Sequence, residues 1–108
     1  MKEITPAQFD AEVMTSTVPV LVDFYTEQCS PCRLMSPILG DIEQEKAGTL
    51  KVVKIDASAD GQFTASFRIS AVPTFLLFRG GERIAQITGA RSRKEMVKWL
   101  EESTAASL

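Results

Sequence analysis

Asp23-Phe24-Tyr25-Thr26-Glu27-Gln28-Cys29-Ser30-Pro31-Cys32 contains the only two cysteines of the chain. An apolar run over 18–25 leads into it, with the length and composition of a buried strand. Behind it, Met35, Ile38, Leu39 and Ile42 recur at i, i+3, i+4 and i+7, which predicts a helix over about 31–46. The cysteines therefore fall where a strand feeds a helix. Cys29 is expected just outside the helix N-terminus and Cys32 about one turn inside. The first helical turn leaves N–H groups unpaired and carries the positive end of the macrodipole, so it stabilises a thiolate. In such places, and in Cys-X-X-Cys pairs, a thiol pKa falls from about 8.5 toward roughly 7 or below. Cys29 is the candidate nucleophile. Cys32 is close enough to resolve the mixed disulfide that Cys29 forms.

The 108 residues suffice for one domain with one core, taken as 1–108. Net charge is -2, and no basic patch suggests a nucleic-acid partner. The start, Met1-Lys2-Glu3-Ile4-Thr5-Pro6, lacks the apolar region of a signal peptide, and no apolar run is long enough to span a membrane. A cytoplasmic location is the expectation. The chain has no histidine, which excludes the Cys-His pairs of thiol proteases. Two cysteines without histidine are also too few for a structural zinc site, so no metal is expected. A lone CxxC closes too small a loop to staple a fold. Beside a βαβ pattern it reads as redox-active.

Elsewhere the elements follow in order. A short extended piece over 1–4 precedes a helix capped by Thr5, with Pro6 at its first position and Gln8 completing a capping box. Phe9 and Val13 would share its buried face, and Thr15-Ser16-Thr17 would end it. The near-continuous apolar run 20–25 marks a central strand buried on both faces. Asp23 interrupts it. The residues alone leave two readings open: a carboxylate on a wetter face or bonded to a nearby donor, and a buried acid beneath the cysteines that exchanges protons with them. Pro37 inside the next helix predicts a bend. A strand over 50–56 then completes a βαβ unit. A short helix over 62–67 follows, carrying Phe63 and Phe67. Ser70-Ala71-Val72-Pro73-Thr74 leads into a strand over 75–78. Arg79-Gly80-Gly81-Glu82 turns the chain into a returning strand over 83–88 whose alternation is imperfect. After Gly89-Ala90, a last helix starts at Ser92 with Glu95 as its capping partner and Met96, Trp99 and Leu100 as its apolar face. The tail 103–108 is expected to fray.

This order, β-α-β-α-β-α-β-β-α with CxxC after the second strand, resembles the thioredoxin family over nearly the whole chain. The residues that carry the resemblance are Val22-Asp23-Phe24, Cys29-Ser30-Pro31-Cys32 with Pro37 behind it, Val72-Pro73-Thr74, and Gly89-Ala90. The resemblance implies an α/β thioredoxin fold, a central mixed sheet of four to five strands flanked by four helices. It implies reduction of protein disulfides, with Cys29 as attacking thiolate, Cys32 as resolving thiol and Asp23 as buried proton acceptor and donor. It also implies a cis bond before Pro73 and a groove for an extended substrate segment beside Val72. Gln28, Ser30, Pro31, Pro73, Gly89 and Ala90 would be further substrate-binding positions. The partners would be disulfide-containing proteins and a thioredoxin-reductase-like electron donor. The expected state is a monomer with no cofactor beyond the Cys29–Cys32 couple.

Three positions depart from the family pattern. Gln28 stands where thioredoxins usually have tryptophan, and Ser30 where they usually have glycine. Val52 stands where many bacterial members carry a lysine near the buried acid, while Lys54, two residues on, faces the same side of its strand. Pro31, and the lack of the histidine found in more oxidising relatives, favour a reductase. An oxidase or isomerase is the alternative within redox chemistry. A non-catalytic binding module using the groove beside Pro73 is the alternative outside it.

Overall fold

A five-stranded mixed sheet runs through the computed structural model, which describes residues 1–106. Its strands are β1 (Lys2–Glu3), β2 (Val20–Tyr25), β3 (Lys51–Asp56), β4 (Thr74–Arg79) and β5 (Glu82–Thr88), in the spatial order β1-β3-β2-β4-β5. β1 and β2 run parallel to β3, and β4 runs antiparallel to both β2 and β5. Three α-helices, α1 (Ser30–Glu45), α2 (Gly61–Ser66) and α3 (Arg93–Ala106), join an irregular N-terminal helix in flanking the sheet. This is the thioredoxin fold that the sequence led one to expect. No helix is long and apolar enough to cross a membrane among the described residues.

β2 is central because nothing in it needs water except Asp23. Val20, Val22 and Phe24 join Val53, Ile55, Leu76 and Phe78 under the N-terminal helix and the phenylalanines of the α2 segment. Leu21 points the other way, into a cluster with Met35, Leu39 and Ile42 of α1 and Met96 and Leu100 of α3. Burial on both faces contributes roughly 1.5–3 kcal/mol for each large apolar side chain. Pro37 lies inside α1, which continues across it as one helix.

The N-terminal helix differs from the expected α-helix. It is a 3-10 turn at Pro6–Gln8 followed by a π-helical stretch at Asp10–Met14. The Thr5 N–H donates to Gln8 Oε1 (2.9 Å) and the Gln8 N–H to the Thr5 carbonyl (3.0 Å), a tight opening turn. The Thr15 N–H then reaches back five residues to the Asp10 carbonyl (3.2 Å). Phe9 and Val13 are both buried as expected, so the winding changes while the buried residues do not. The Phe9 ring packs edge-on against Phe63 and Phe78, 5.3 and 5.4 Å between centroids.

The hairpin turns on Gly80 and Gly81, whose φ values of 58° and 80° suit a two-residue type I′ turn. A register shift lies between Leu77, opposite Ala85, and Phe78, opposite Arg83, leaving Ile84 as the extra residue. That bulge is the reason for the imperfect alternation of β5: Ile84 and Ala85 both pack against the α1–α3 cluster. α2 starts one residue earlier than expected, because Asp60 caps it through the Gln62 and Phe63 N–H groups (both 3.1 Å). Ser92 and Glu95 form the expected reciprocal cap of α3 (3.1 Å in each direction). Residues 103–106 do not fray but continue α3. The Thr104 hydroxyl donates to the Leu100 carbonyl (2.8 Å), and Arg79 Nη1 donates to the Thr104 carbonyl (3.0 Å). The rest of the expected tail, 107–108, lies outside the described residues.

Candidate active site

β2 ends at Tyr25, a turn occupies 26–29, and α1 begins at Ser30. Cys29 is the N-cap of α1, with extended backbone (φ -90°, ψ 106°), and Cys32 is its third helical residue. A disulfide joins them, with 5.2 Å between Cα atoms. The Cys32 N–H donates to Cys29 Sγ at 3.1 Å. One of the orphan donors of the first turn is therefore already aimed at the sulfur, where a thiolate would accept it more strongly. Pro31 occupies a first-turn position that has no N–H bond to lose. Cys29 is half-buried, whereas Cys32 is only 3% exposed. Cys29 is thus the more accessible residue of the two. Ser30 and Pro31 are exposed beside them. Ser30 is the first residue of α1, directly after the Cys29 N-cap.

The turn before Cys29 is closed by the Cys29 N–H on the Thr26 carbonyl (3.3 Å). The Arg33 side chain also holds it: Nε–H and Nη2–H both donate to the Glu27 carbonyl, at 3.2 and 2.7 Å. Sequence reasoning missed Arg33. Its only signal was a cation four residues after Cys29. Gln28 is exposed and lines an open depression with Thr26, Glu27, Asp56 and Ser58.

Asp23 is 1% exposed. It follows Leu21 on the α1 side of β2, in register with Lys54 of β3 and Phe75 of β4. Its Oδ1 atom is buried with no hydrogen-bond partner among the described residues, so it is not bonded to a neighbouring donor. Burial pushes its pKa up to about 7, against the opposing pull of the Lys54 charge. Lys54 makes no ion pair with Asp23 within 4 Å; its ammonium lies over the Tyr25 ring, 5.2 Å from the centroid. A cavity of about 110 Å³ lies between α1 and the sheet, lined by Cys32, Ser36 and Arg33 of α1 and by Tyr25 and Lys54 of the sheet; Asp23 is not among its lining residues.

The second half of the site comes from two loops at the same end of the sheet. Thr74 pairs with Phe24, which places Pro73 at the end of β2 from which the cysteine turn departs. The Val72–Pro73 peptide is cis, as the resemblance implied, and Pro73 is buried. The Gly89 N–H donates to the Pro73 carbonyl (2.8 Å), with Gly89 at φ 98°, a conformation that disfavours side chains. The Thr74 hydroxyl donates to the Ala71 carbonyl (2.6 Å) and lies 3.1 Å from the Thr88 hydroxyl. The Arg91 N–H reaches Met35 Sδ (3.4 Å), one turn beyond Cys32. Val72, Pro73, Gly89 and Ala90 thus form one rim near the start of α1. A largely apolar groove runs outward from it, lined by Thr26, Ala57, Ile69, Ala71 and Val72 among others. Gln28 lines the neighbouring depression with Asp56, which shares Thr26 and Ser58 with this groove. No group of three or more His, Cys, Asp or Glu side chains is placed to hold a metal ion among the described residues.

The family model described as thioredoxin matches residues 1–102. Thioredoxin 1 of Nostoc sp. is 35% identical over 99 residues, 92% of this chain and 92% of that protein. A thioredoxin of Pyropia yezoensis is 35% identical over 100 residues, 93% of this chain and 94% of that protein. A bifunctional thioredoxin reductase/thioredoxin of Mycobacterium leprae is 35% identical over 100 residues, 93% of this chain but 22% of that longer protein. Sheet order, the paired cysteines at a helix N-terminus and these similarities agree: the chain belongs to the thioredoxin family.

Proposed function

We propose that the chain reduces protein disulfides by a two-step exchange at Cys29 and Cys32. Membership of the family and the Cys-x-x-Cys pair make it a thiol-disulfide oxidoreductase of the protein-disulfide reductase kind. The observation that carries the assignment of roles is the Cys32 N–H aimed at Cys29 Sγ, with Cys29 reachable and Cys32 buried. The Cys29 thiolate attacks one sulfur of the substrate disulfide. A Cys29–substrate disulfide forms, the substrate S–S bond breaks, and the leaving thiolate takes up a proton. Cys32 then passes its proton to the Asp23 carboxylate and attacks Cys29 Sγ. The Cys29–Cys32 disulfide forms and the second substrate thiolate leaves. The substrate gains two electrons and the dithiol loses two. Asp23 suits the proton transfer because a carboxyl with a pKa of about 7 exists in both forms near neutrality.

Val72, Pro73, Gly89 and Ala90 supply the rim along which an extended substrate segment would lie, in the manner of an added strand. Gln28, Ser30 and Pro31 are the exposed contacts beside the sulfur. The couple needs no metal or organic cofactor, only a donor of two electrons to restore the dithiol. A thioredoxin-reductase-like enzyme fits that role, in keeping with the Mycobacterium leprae relative whose name joins both activities. The proposed form is a single-domain monomer in a reducing compartment, the cytoplasm.

The test is insulin reduction with dithiothreitol as donor. Cys29→Ser is expected to remove the activity, and Cys32→Ser to trap the protein on its substrate as a mixed disulfide. Wild-type rates from Cys29→Ser would overturn the reading and direct attention to the groove as a binding site.

A further inference from the structure

When the Cys29–Cys32 disulfide opens, the covalent link between the turn and the helix disappears. The remaining ties of that turn run largely through one residue. The Arg33 backbone N–H donates to the Cys29 carbonyl (3.2 Å). The Arg33 side chain donates twice to the Glu27 carbonyl, two residues earlier. Two other local ties remain, the Cys32 N–H on Cys29 Sγ at 3.1 Å and the Cys29 N–H on the Thr26 carbonyl, which is long at 3.3 Å. Arg33 is exposed and belongs to neither apolar cluster, so packing does not account for its arrangement.

We infer that Arg33 is a positioning residue for the reactive sulfur: its two-donor grip on the Glu27 carbonyl holds the turn against the first turn of α1, keeping Cys29 Sγ under the Cys32 N–H in the reduced protein. The inference rests on the redox reading of the dithiol. A planar guanidinium presents its donors in a fixed fork, so it locates the carbonyl instead of merely attracting it. The carbonyl sits two residues before Cys29, and a turn that drifts takes the sulfur away from the N–H that stabilises its charge. Loosening the grip raises the pH at which Cys29 becomes nucleophilic without touching the core.

The experiment is the pH profile of Cys29 alkylation by iodoacetamide in the fully reduced protein, followed by mass spectrometry of the Cys29 peptide. Wild type is compared with Arg33→Met and Arg33→Lys. Arg33→Met keeps an apolar stem and removes charge and donors. Arg33→Lys keeps the charge and replaces the fork with one mobile ammonium. The other charged groups at this end of the fold are Asp23 on β2, Glu27 in the turn, Lys54 and Asp56 on β3, and Arg91 beyond the Gly89–Ala90 rim; they are the same in all three proteins. The expected result is about a fivefold slower reaction at pH 7 in both variants, the profile moving to higher pH, with unchanged thermal melting. Exchange of the Cys29 amide hydrogen is expected to accelerate in both. An Arg33→Lys profile equal to wild type would reduce the effect to charge and overturn the grip. An Arg33→Met profile equal to wild type would remove any role. A wild-type Cys29 that titrates like a free cysteine would instead overturn the reading of the site itself.

Discussion

Lys54 and Asp23 are register partners across β3 and β2, yet the Lys54 ammonium lies over the Tyr25 ring, 5.2 Å from its centroid, and forms no ion pair with the carboxyl. The lysine therefore acts on Asp23 through its field and not through a bond. Its pull is in the lowering direction and is smaller than the effect of burial, which wins and leaves the pKa at about 7. Lys54→Met is expected to push the Asp23 pKa higher still and to move the alkaline rise of insulin reduction upward in pH. Carboxyl-carbon NMR titration of the oxidised protein checks it. An unchanged Asp23 titration would show that the lysine field does not reach the carboxyl.

Asp23→Ala is expected to stabilise the protein while slowing turnover about tenfold or more. In the wild type the folded-state pKa is raised from 3.8 to about 7. Below about pH 4 the carboxyl is protonated in both folded and unfolded chains, and no cost of burying a charge arises. Between about 4 and 7 the unfolded chain ionises first, so stability falls as pH rises. Above about 7 the full cost of a buried charge is present, and the variant escapes it, gaining about 2–4 kcal/mol. Urea unfolding at pH 5 and pH 8 tests the sign: the gain must be larger at pH 8.

Glu12 contributes to the acid limb of the stability curve. It accepts hydrogen bonds from Lys2 and Lys51, which lower its pKa from 4.5 to about 2. This stability is present above about pH 4.5 and is lost as pH falls toward 2. Glu12→Gln is expected to flatten the fall in melting temperature between pH 4.5 and 2, while leaving insulin reduction at pH 7 unchanged. A variant that melts on the wild-type curve across that range would show the pair of lysines to be without effect.

Gln28→Trp is expected to speed reduction of the protein by a thioredoxin reductase severalfold. Gln28 is exposed in the turn beside Cys29, so a flat apolar ring there adds contact area without displacing core residues. Steady-state kinetics with the reductase decide it, read as a fall in KM. Equal KM values would place reductase recognition elsewhere on the surface.

The parts of the fold that depend on local apolar spacing were legible before the structure: β2, the α1 stripe and the strand–turn–helix that presents the cysteines. The winding of the N-terminal helix was not, because Phe9 and Val13 bury in either an α or a π arrangement and the spacing of two residues does not separate them. The bulge at Ile84 was visible only as an irregular alternation, since an extra residue in one strand is defined by its partner. Within the site, the place of Cys29 and Cys32 at the helix start was evident from the pattern, while for Asp23 the structure removes only the reading of a carboxylate bonded to a nearby donor, its buried Oδ1 having no hydrogen-bond partner among the described residues. Arg33 was out of reach, because its grip depends on where the Glu27 carbonyl points after the turn has formed. The cis bond before Pro73 followed from family resemblance and not from the residues, since most X-Pro bonds are trans.

The extra residue at Ile84 also bears on how the molecule behaves in a crowd. β5 is an outer strand of the sheet, and an outer strand with a long flat ladder invites a second copy to zip onto it. Here the ladder is broken within β5, and the charged, exposed Glu82 and Arg83 stand on its first two positions. The opposite border, β1, is two residues long and carries Lys2 and Glu3, both exposed. Neither border offers a flat template of the length amyloid-like stacking requires, so concentrated solutions of the folded protein are expected to resist fibril growth.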